Sequence, residues 1–292
     1  MITKINSILV PTDFSELSES ALKIGISIAK RQNAEIILLH VVDSFSSIQP
    51  TEILIPEFQL YPDIVYTMEI RMNDLAEKIQ RESGIEISVE ILIGNPSDRI
   101  CQFAYEENIS LIVMGSHGTS GLREFFIGSE AFRVLKNAPC PVLTIPGNWQ
   151  KTGFEKVLFP IRLTTGALDK YFYVRPIIEK NNSKLFLLGL ADKEQPDELK
   201  EIDSLMARLK QKLHNDKVEF KATISPCEDF PDKTIKMAKE YGVDLIVLTA
   251  NLDHDFKAFF VGPFVQQVVN HSRIPVLSIK PTYPNNYIFA SL

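Results

Sequence analysis

The sequence predicts an α/β protein built as two tandem doubly wound parallel five-stranded sheets. Three observations carry this. Short continuous apolar runs alternate with stretches of helical periodicity, the pattern of parallel strands covered on both faces. The pattern occurs twice along 292 residues, enough for two domains of ordinary size. Hydrophobic residues make up 45% of the chain, so each half can bury its own core.

In order, Ser7-Ile8-Leu9-Val10 is an apolar run that stops at Pro11, a buried strand. Residues 15–31 place Ala21, Leu22, Ile24, Gly25, Ile28 and Ala29 at helical spacing behind a Ser15 N-cap. Residues 36–42 form a second strand. A helix over 68–83 and a strand over 85–93 follow. Pro96 opens a helix over 96–107, where the missing proline N–H costs nothing. Residues 111–114 are a strand, 129–137 a short helix and 141–145 the last strand.

The pattern then restarts. Val157-Leu158-Phe159-Pro160 answers to Leu9-Val10-Pro11, an offset of 149 that also brings Leu38-Leu39 onto Leu187-Leu188. Further on the offset becomes 134. It pairs Leu111-Ile112-Val113 with Leu245-Ile246-Val247, Phe125-Phe126 with Phe259-Phe260, Gly128 with Gly262, and Pro141-Val142-Leu143 with Pro275-Val276-Leu277. Identities at one offset across strand, loop and helix mark an internal repeat. The expected boundaries are a first domain over 1–147, a linker over 148–155, a second domain over 156–281 and a tail over 282–292.

The change of offset assigns the extra length of the first copy to residues 44–66. That segment holds Pro50, Pro56 and Pro62 among apolar side chains. Two readings are open: an arm packed on its own domain or on a partner subunit, or a lid leaving the carboxyl end of the second strand.

The chemistry concentrates after the fourth strand, in Met114-Gly-Ser-His-Gly-Thr-Ser-Gly-Leu-Arg-Glu-Phe-Phe-Ile-Gly-Ser-Glu-Ala131. Gly115 and Gly118 let backbone N–H groups approach a ligand without a Cβ in the way. Gly128-Ser129 opens a helix whose free N–H groups and dipole favour an anion. In an open α/β sheet the ligand sits beyond the carboxyl ends of the strands where the strand order reverses. Pro11-Thr12-Asp13, at the end of the first strand, belongs to that crevice, with Asp13 an acceptor for a ribose hydroxyl or a donor nitrogen. Neither a G-x-x-x-x-G-K-[ST] loop nor a G-x-G-x-x-G turn after the first strand is present.

The spacing Gly115-x2-Gly118-x9-Gly128-Ser129 resembles the nucleotide-binding signature of the ATP-binding universal stress proteins. The segments V-P-T-D-F-S, L-L-H-V-V, L-I-V-M-G-S-H-G and A-P-C-P-V-L are similar to that family, and the likeness covers nearly the whole chain as a tandem pair. It implies a sheet of order 3-2-1-4-5 in each half, of the adenine nucleotide alpha hydrolase type. It implies ATP, or ADP or AMP, as ligand, with Mg²⁺ accompanying the phosphates. Asp13 would face the adenosine and the backbone of Val41 would read the adenine. Gly115, His117 and Gly118 would line ribose and phosphates. Gly128, Ser129 and the amide of Glu130 would hold the phosphate tail. The fifth strands would pair across a pseudo-two-fold, and a homodimer could add to that. Glu130 departs from expectation: turned inward, its carboxylate repels phosphates; turned outward, it meets only the helix dipole.

The second copy replaces Gly115 by Thr249, Gly118 by Leu252, Ser129 by Pro263 and Asp13 by Arg162, and adds Asp253 and Asp255. These changes oppose an anion, so no ATP is expected there; the alternative is another ligand contacted by Arg162. His40, in an apolar strand, reads as a packed core histidine. No catalytic or metal-spaced constellation stands out. The alternatives to a nucleotide-binding stress-response module are a slow ATPase using Glu130 or His117 and a ligand-free scaffold.

The net charge of −6 argues against nucleic acid or an anionic membrane as main partner. Three cysteines without metal spacing suit a reduced, cytoplasmic protein, and the sequence shows no leader and no membrane span.

Overall fold

A computed structural model describes residues 4–43, 57–116, 128–147, 149–250 and 263–281 of the chain, with the backbone alone over 57–61. The first half runs β1 (Ser7–Pro11), α1 (Glu16–Gln32), β2 (Glu35–Asp43), α2 (Glu57–Ser83), β3 (Ile87–Gly94), α3 (Pro96–Glu106), β4 (Leu111–Gly115), α4 (Ser129–Asn137) and β5 (Val142–Ile145). The second half runs β6 (Lys156–Ile161), α5 (Lys170–Asn181), β7 (Lys184–Asp192), α6 (Pro196–Asn215), β8 (Phe220–Cys227), α7 (Phe230–Tyr241), β9 (Leu245–Thr249), α8 (Pro263–His271) and β10 (Val276–Ile279).

The strands form one ten-stranded sheet of order β3-β2-β1-β4-β5-β10-β9-β6-β7-β8. Each half is parallel with order 3-2-1-4-5. The halves meet where β10 pairs antiparallel with β5, Leu277 opposite Leu143. Thr144 Oγ1 adds a bond to Val276 O at 3.2 Å across this seam.

Alternation along the strands sorts side chains to two faces. Ile8 and Val10 join Val157, Phe159 and Ile161 under α1, α2, α5 and α6, while Leu9 and Leu158 lie under α3, α4, α7 and α8. Both apolar layers run through both halves. Polar bonds tie α1 to the linker and the second half: Ser27 Oγ donates to Thr152 O at 2.9 Å and Gln32 Nε2 to Pro176 O of α5 at 2.8 Å.

One element departs from expectation. Helix α2 begins at Glu57 rather than near 68, so residues 57–66 of the proline-bearing segment 44–66 are helix, with Pro62 inside it. A proline removes one N–H and crowds one carbonyl, and the remaining turns still close their bonds. Residues 44–56 lie outside the described residues, so the choice between arm and lid stays with them.

Candidate functional site

Strand order reverses between β1 and β4: β1 pairs with β2 on one side and β4 on the other. The chain leaves these strands towards opposite faces and opens a crevice at their carboxyl ends. A cavity of about 640 Å³ lies there. Its walls include Pro11, Thr12, Asp13, Val41, Met114, Gly115, Gly128, Ser129 and Glu130. These are all the site residues expected from sequence except His117 and Gly118, which fall outside the described residues.

The turn after β1 is held from several sides. Thr12 N donates to Leu39 O at 2.8 Å, and Thr12 Oγ1 accepts from Phe14 N at 3.1 Å. Phe14 sits at φ 61°, a left-handed conformation rare for an aromatic residue. Its ring is 5.0 Å from that of His40 and lies under the Arg71 guanidinium at 3.8 Å. Asp13 Oδ1 accepts from Ser15 N at 3.1 Å, while Ser15 Oγ caps α1 by accepting from Ser18 N at 3.2 Å. Burial raises the Asp13 pKa, but the hydrogen bonds from Ser15 and Ser18 outweigh it and hold the carboxyl below its ordinary value. Asp13 is thus a carboxylate at neutral pH, an acceptor and not a donor.

His40 corrects the sequence reading. It is half-buried, lines the cavity, and its Nδ1 lies 2.8 Å from Thr12 O. A polar ring in an apolar strand is explained by that carbonyl, which the strand pattern does not reveal. The cavity also takes Asp43 from β2 and Ile64 and Met68 from α2, none singled out beforehand. For Ile64 the signal was its place in the inserted segment of the first copy.

Besides the Ser15-capped start of α1, two helix N-termini line the cavity, and they differ. Helix α3 is capped by Asn95, whose Oδ1 accepts from Asp98 N at 3.2 Å. It receives a second acceptor from outside: Glu130 Oε2 takes the Ser97 amide at 2.9 Å. The other oxygen, Oε1, pairs with Arg133 at 3.1 Å. Glu130 therefore turns neither freely inward nor to solvent, but bridges to the neighbouring helix. Helix α4 has Gly128 as N-cap and receives no side-chain cap. Its first amides are the orphan donors of a helix start, beside the cavity. Gly128 N donates to Ser116 O at 2.9 Å, pinning together the two ends of the glycine loop.

The matching place in the second half is built differently. Arg162, at the position of Asp13, lays its guanidinium 4.2 Å from the Phe264 ring centroid and 5.5 Å from that of Phe230. At the 134 offset these phenylalanines stand where the first half has Glu130 and Pro96. Pro263, in place of Ser129, begins α8. Nearby, the fully buried Lys170 donates to Pro160 O and lies over the Phe159 ring at 4.4 Å. Burial, with the Arg162 charge beside it, pushes its pKa down to about 7. Leu252, Asp253, Asp255 and Gly262 lie outside the described residues.

Among the described residues, no cluster of His, Cys, Asp and Glu could hold a metal ion, and no helix is long and apolar enough to cross a membrane.

The sequence profile of the universal stress protein family matches residues 4–146 and again 171–280. A universal stress protein of Methanocaldococcus jannaschii is 37% identical over 139 residues, 47% of this chain and 80% of the relative. One of Bacillus subtilis is 33% identical over 146 residues, 48% of this chain and 98% of the relative. Among solved structures, a universal stress protein of Archaeoglobus fulgidus superposes with a TM-score of 0.76 over 94% of this chain and 98% of that one, at 20% identity, a likeness of fold. With the profile matched once in each half and the same strand order in both, the chain belongs to the universal stress protein family.

Proposed function

We propose that the first half is an adenine-nucleotide-binding module of a stress response in the cytoplasm, and that the second half is a non-binding repeat serving as its built-in dimer partner. ATP is the expected ligand, with ADP or AMP as alternatives. The observation that carries this reading is the meeting of one cavity, a fixed acceptor at Asp13 and the uncapped N-terminus of α4 at the switch point between β1 and β4.

The cavity suits the ligand chemically. The edge of β2 at Val41 offers backbone groups to a base, and apolar walls at Ile64, Met68 and Ile100 suit its faces. Asp13 suits a ribose hydroxyl. The amides of Ser129 and Glu130 and the Ser129 hydroxyl suit a phosphate. With no protein cluster for Mg²⁺ among the described residues, a cation would arrive with the phosphates and neutralise their charge. In the second half, Arg162 packed against Phe230 and Phe264 occupies the corresponding place, which supports its assignment as non-binding.

The slow-ATPase alternative uses Glu130 or His117 to position a water; the Glu130 carboxylate is engaged by Ser97 and Arg133, and His117 lies outside the described residues. The scaffold alternative predicts no nucleotide at all. Mass spectrometry of small molecules released on denaturing the purified protein, with calorimetric titration of adenine nucleotides, separates the module from the scaffold, and phosphate release with Mg²⁺ above background would point to the ATPase. One adenine nucleotide per chain is expected. Absence of bound nucleotide together with no heat from any adenine nucleotide, with or without Mg²⁺, rejects the reading in favour of the scaffold.

A further inference from the structure

We propose that Glu130 is the specificity-determining residue for the phosphate tail of this site, so that the first half selects an adenylate with a short tail over free ATP; this rests on the nucleotide reading above. Three helix starts, those of α1, α3 and α4, reach the cavity, and each could seat an anion. One seat is already taken. The Glu130 carboxylate holds the Ser97 amide at the start of α3, with Arg133 fixing its other oxygen. At α1 the Ser15 side chain already caps the Ser18 amide, so among the described residues the start of α4 is the one left for phosphate.

The wall charges point the same way. Asp13 and Glu130 line the cavity, and no lysine or arginine lines it among the described residues. A terminal phosphate carries roughly −1.5 to −2 at neutral pH, and each further phosphate adds about one more negative charge. One phosphate on α4 is offset by the helix dipole. A second and third must extend past the fixed carboxylate on the first turn of the same helix. A unit charge within one helical turn, in the intermediate dielectric of a protein cleft, weakens binding about tenfold for each uncompensated charge it faces. The carboxylate cannot relax away cheaply, because leaving would strip Ser97 N of its acceptor and Arg133 of its partner.

The test is calorimetric titration of the full chain with adenosine, AMP, ADP and ATP in a chelator, where the tails keep their full charge. AMP is expected to bind about tenfold or more tightly than ATP. Glu130→Gln keeps an oxygen for the Ser97 amide but removes the charge, and should narrow the gap to threefold or less. Arg133→Gln removes the compensating cation and should widen it. ATP binding as tightly as AMP, or a ratio that neither substitution moves, overturns the assignment while leaving nucleotide binding intact. Failure of all four ligands in the chelator and with Mg²⁺ removes the nucleotide reading and this one with it. Circular-dichroism melts of both variants close to the parent confirm that the comparison is of folded proteins.

Discussion

Arg162 and Phe264 stand 4.2 Å apart, guanidinium over ring, where the first half sets Asp13 and Glu130 around an open cavity. A cation packed on an aromatic face is held by the ring quadrupole, an attraction that strengthens where water is excluded. The second half thus sets a cation on two aromatic rings at the positions where the first half has Asp13, Glu130 and Pro96.

The expected stoichiometry is therefore one nucleotide per chain, and copying one residue of the second half into the first should remove it. Ser129→Pro places proline at the first position of α4, where it is tolerated because that amide has no helical partner. Gly128 already has φ −59° and ψ 147°, a conformation that a following proline favours. Nucleotide affinity should fall at least tenfold while the melting temperature stays within about 3 °C. Undiminished binding in calorimetry would contradict the role of the α4 amides.

Lys170 makes stability depend on pH. Its folded-state pKa of about 7 lies below the ordinary 10.5, so between these values the unfolded chain binds more protons than the folded one. Stability then rises with pH across that window, and burial of the charged form costs most below pH 7. Lys170→Met should flatten this slope. Urea melts at pH 7 and pH 9.5 should show the wild type gaining on the order of 2 kcal/mol relative to the variant. Parallel pH profiles would show that Lys170 is not the titrating group.

Asp244 anchors the segment that joins the halves. It is nearly buried, and its Oδ2 accepts the amides of Glu155 at 3.1 Å and Lys156 at 3.0 Å, while Oδ1 meets Lys151 Nζ at 2.6 Å. Asp244→Ala strands two donors and should cost about 2–3 kcal/mol. Lys151→Ala should cost under about 1 kcal/mol, because the Lys151 side chain is 65% exposed. Chemical denaturation of both variants checks the order; a larger loss from Lys151 would reverse the assignment.

The cysteines should be sluggish. Burial pushes the Cys101 thiol up to about 11 and the Cys140 thiol up to about 12. Since the thiolate is the nucleophile, labelling of these two by a disulfide reagent at pH 8 should run at least about 100-fold slower in the folded protein than in urea. Peptide mapping of the labelled sites provides the readout, and equal rates in both states would refute the burial.

Much of this architecture could be read from residues alone. The continuous apolar runs at Ile8 to Val10 and Leu111 to Val113 became central strands, because strands covered on both faces need no polar alternation. The two offsets of the repeat placed Arg162 at the position of Asp13 and Pro263 at that of Ser129 before any geometry was known. The helical pattern is legible only from about 68, although α2 reaches back to Glu57 with Pro62 inside it. The bond from Ser97 N to Glu130 spans 33 positions and joins two helices, so no local periodicity announces it. His40 was misread for a similar reason: its carbonyl partner, Thr12 O, belongs to another strand's end. The two offsets set Arg162 at the position of Asp13 and Phe230 and Phe264 at those of Pro96 and Glu130, so the repeat already brings the three to one crevice end.

The antiparallel seam between β5 and β10 has a consequence for abundance. Two separate chains joined along such an edge would come apart as they became scarce, each exposing a strand with unsatisfied amides. Here the partner edge is tethered, its local concentration set by the short covalent connection and not by the number of molecules present. Dilution leaves the seam between Leu143 and Leu277 closed, so the central strands stay covered even when the protein is rare.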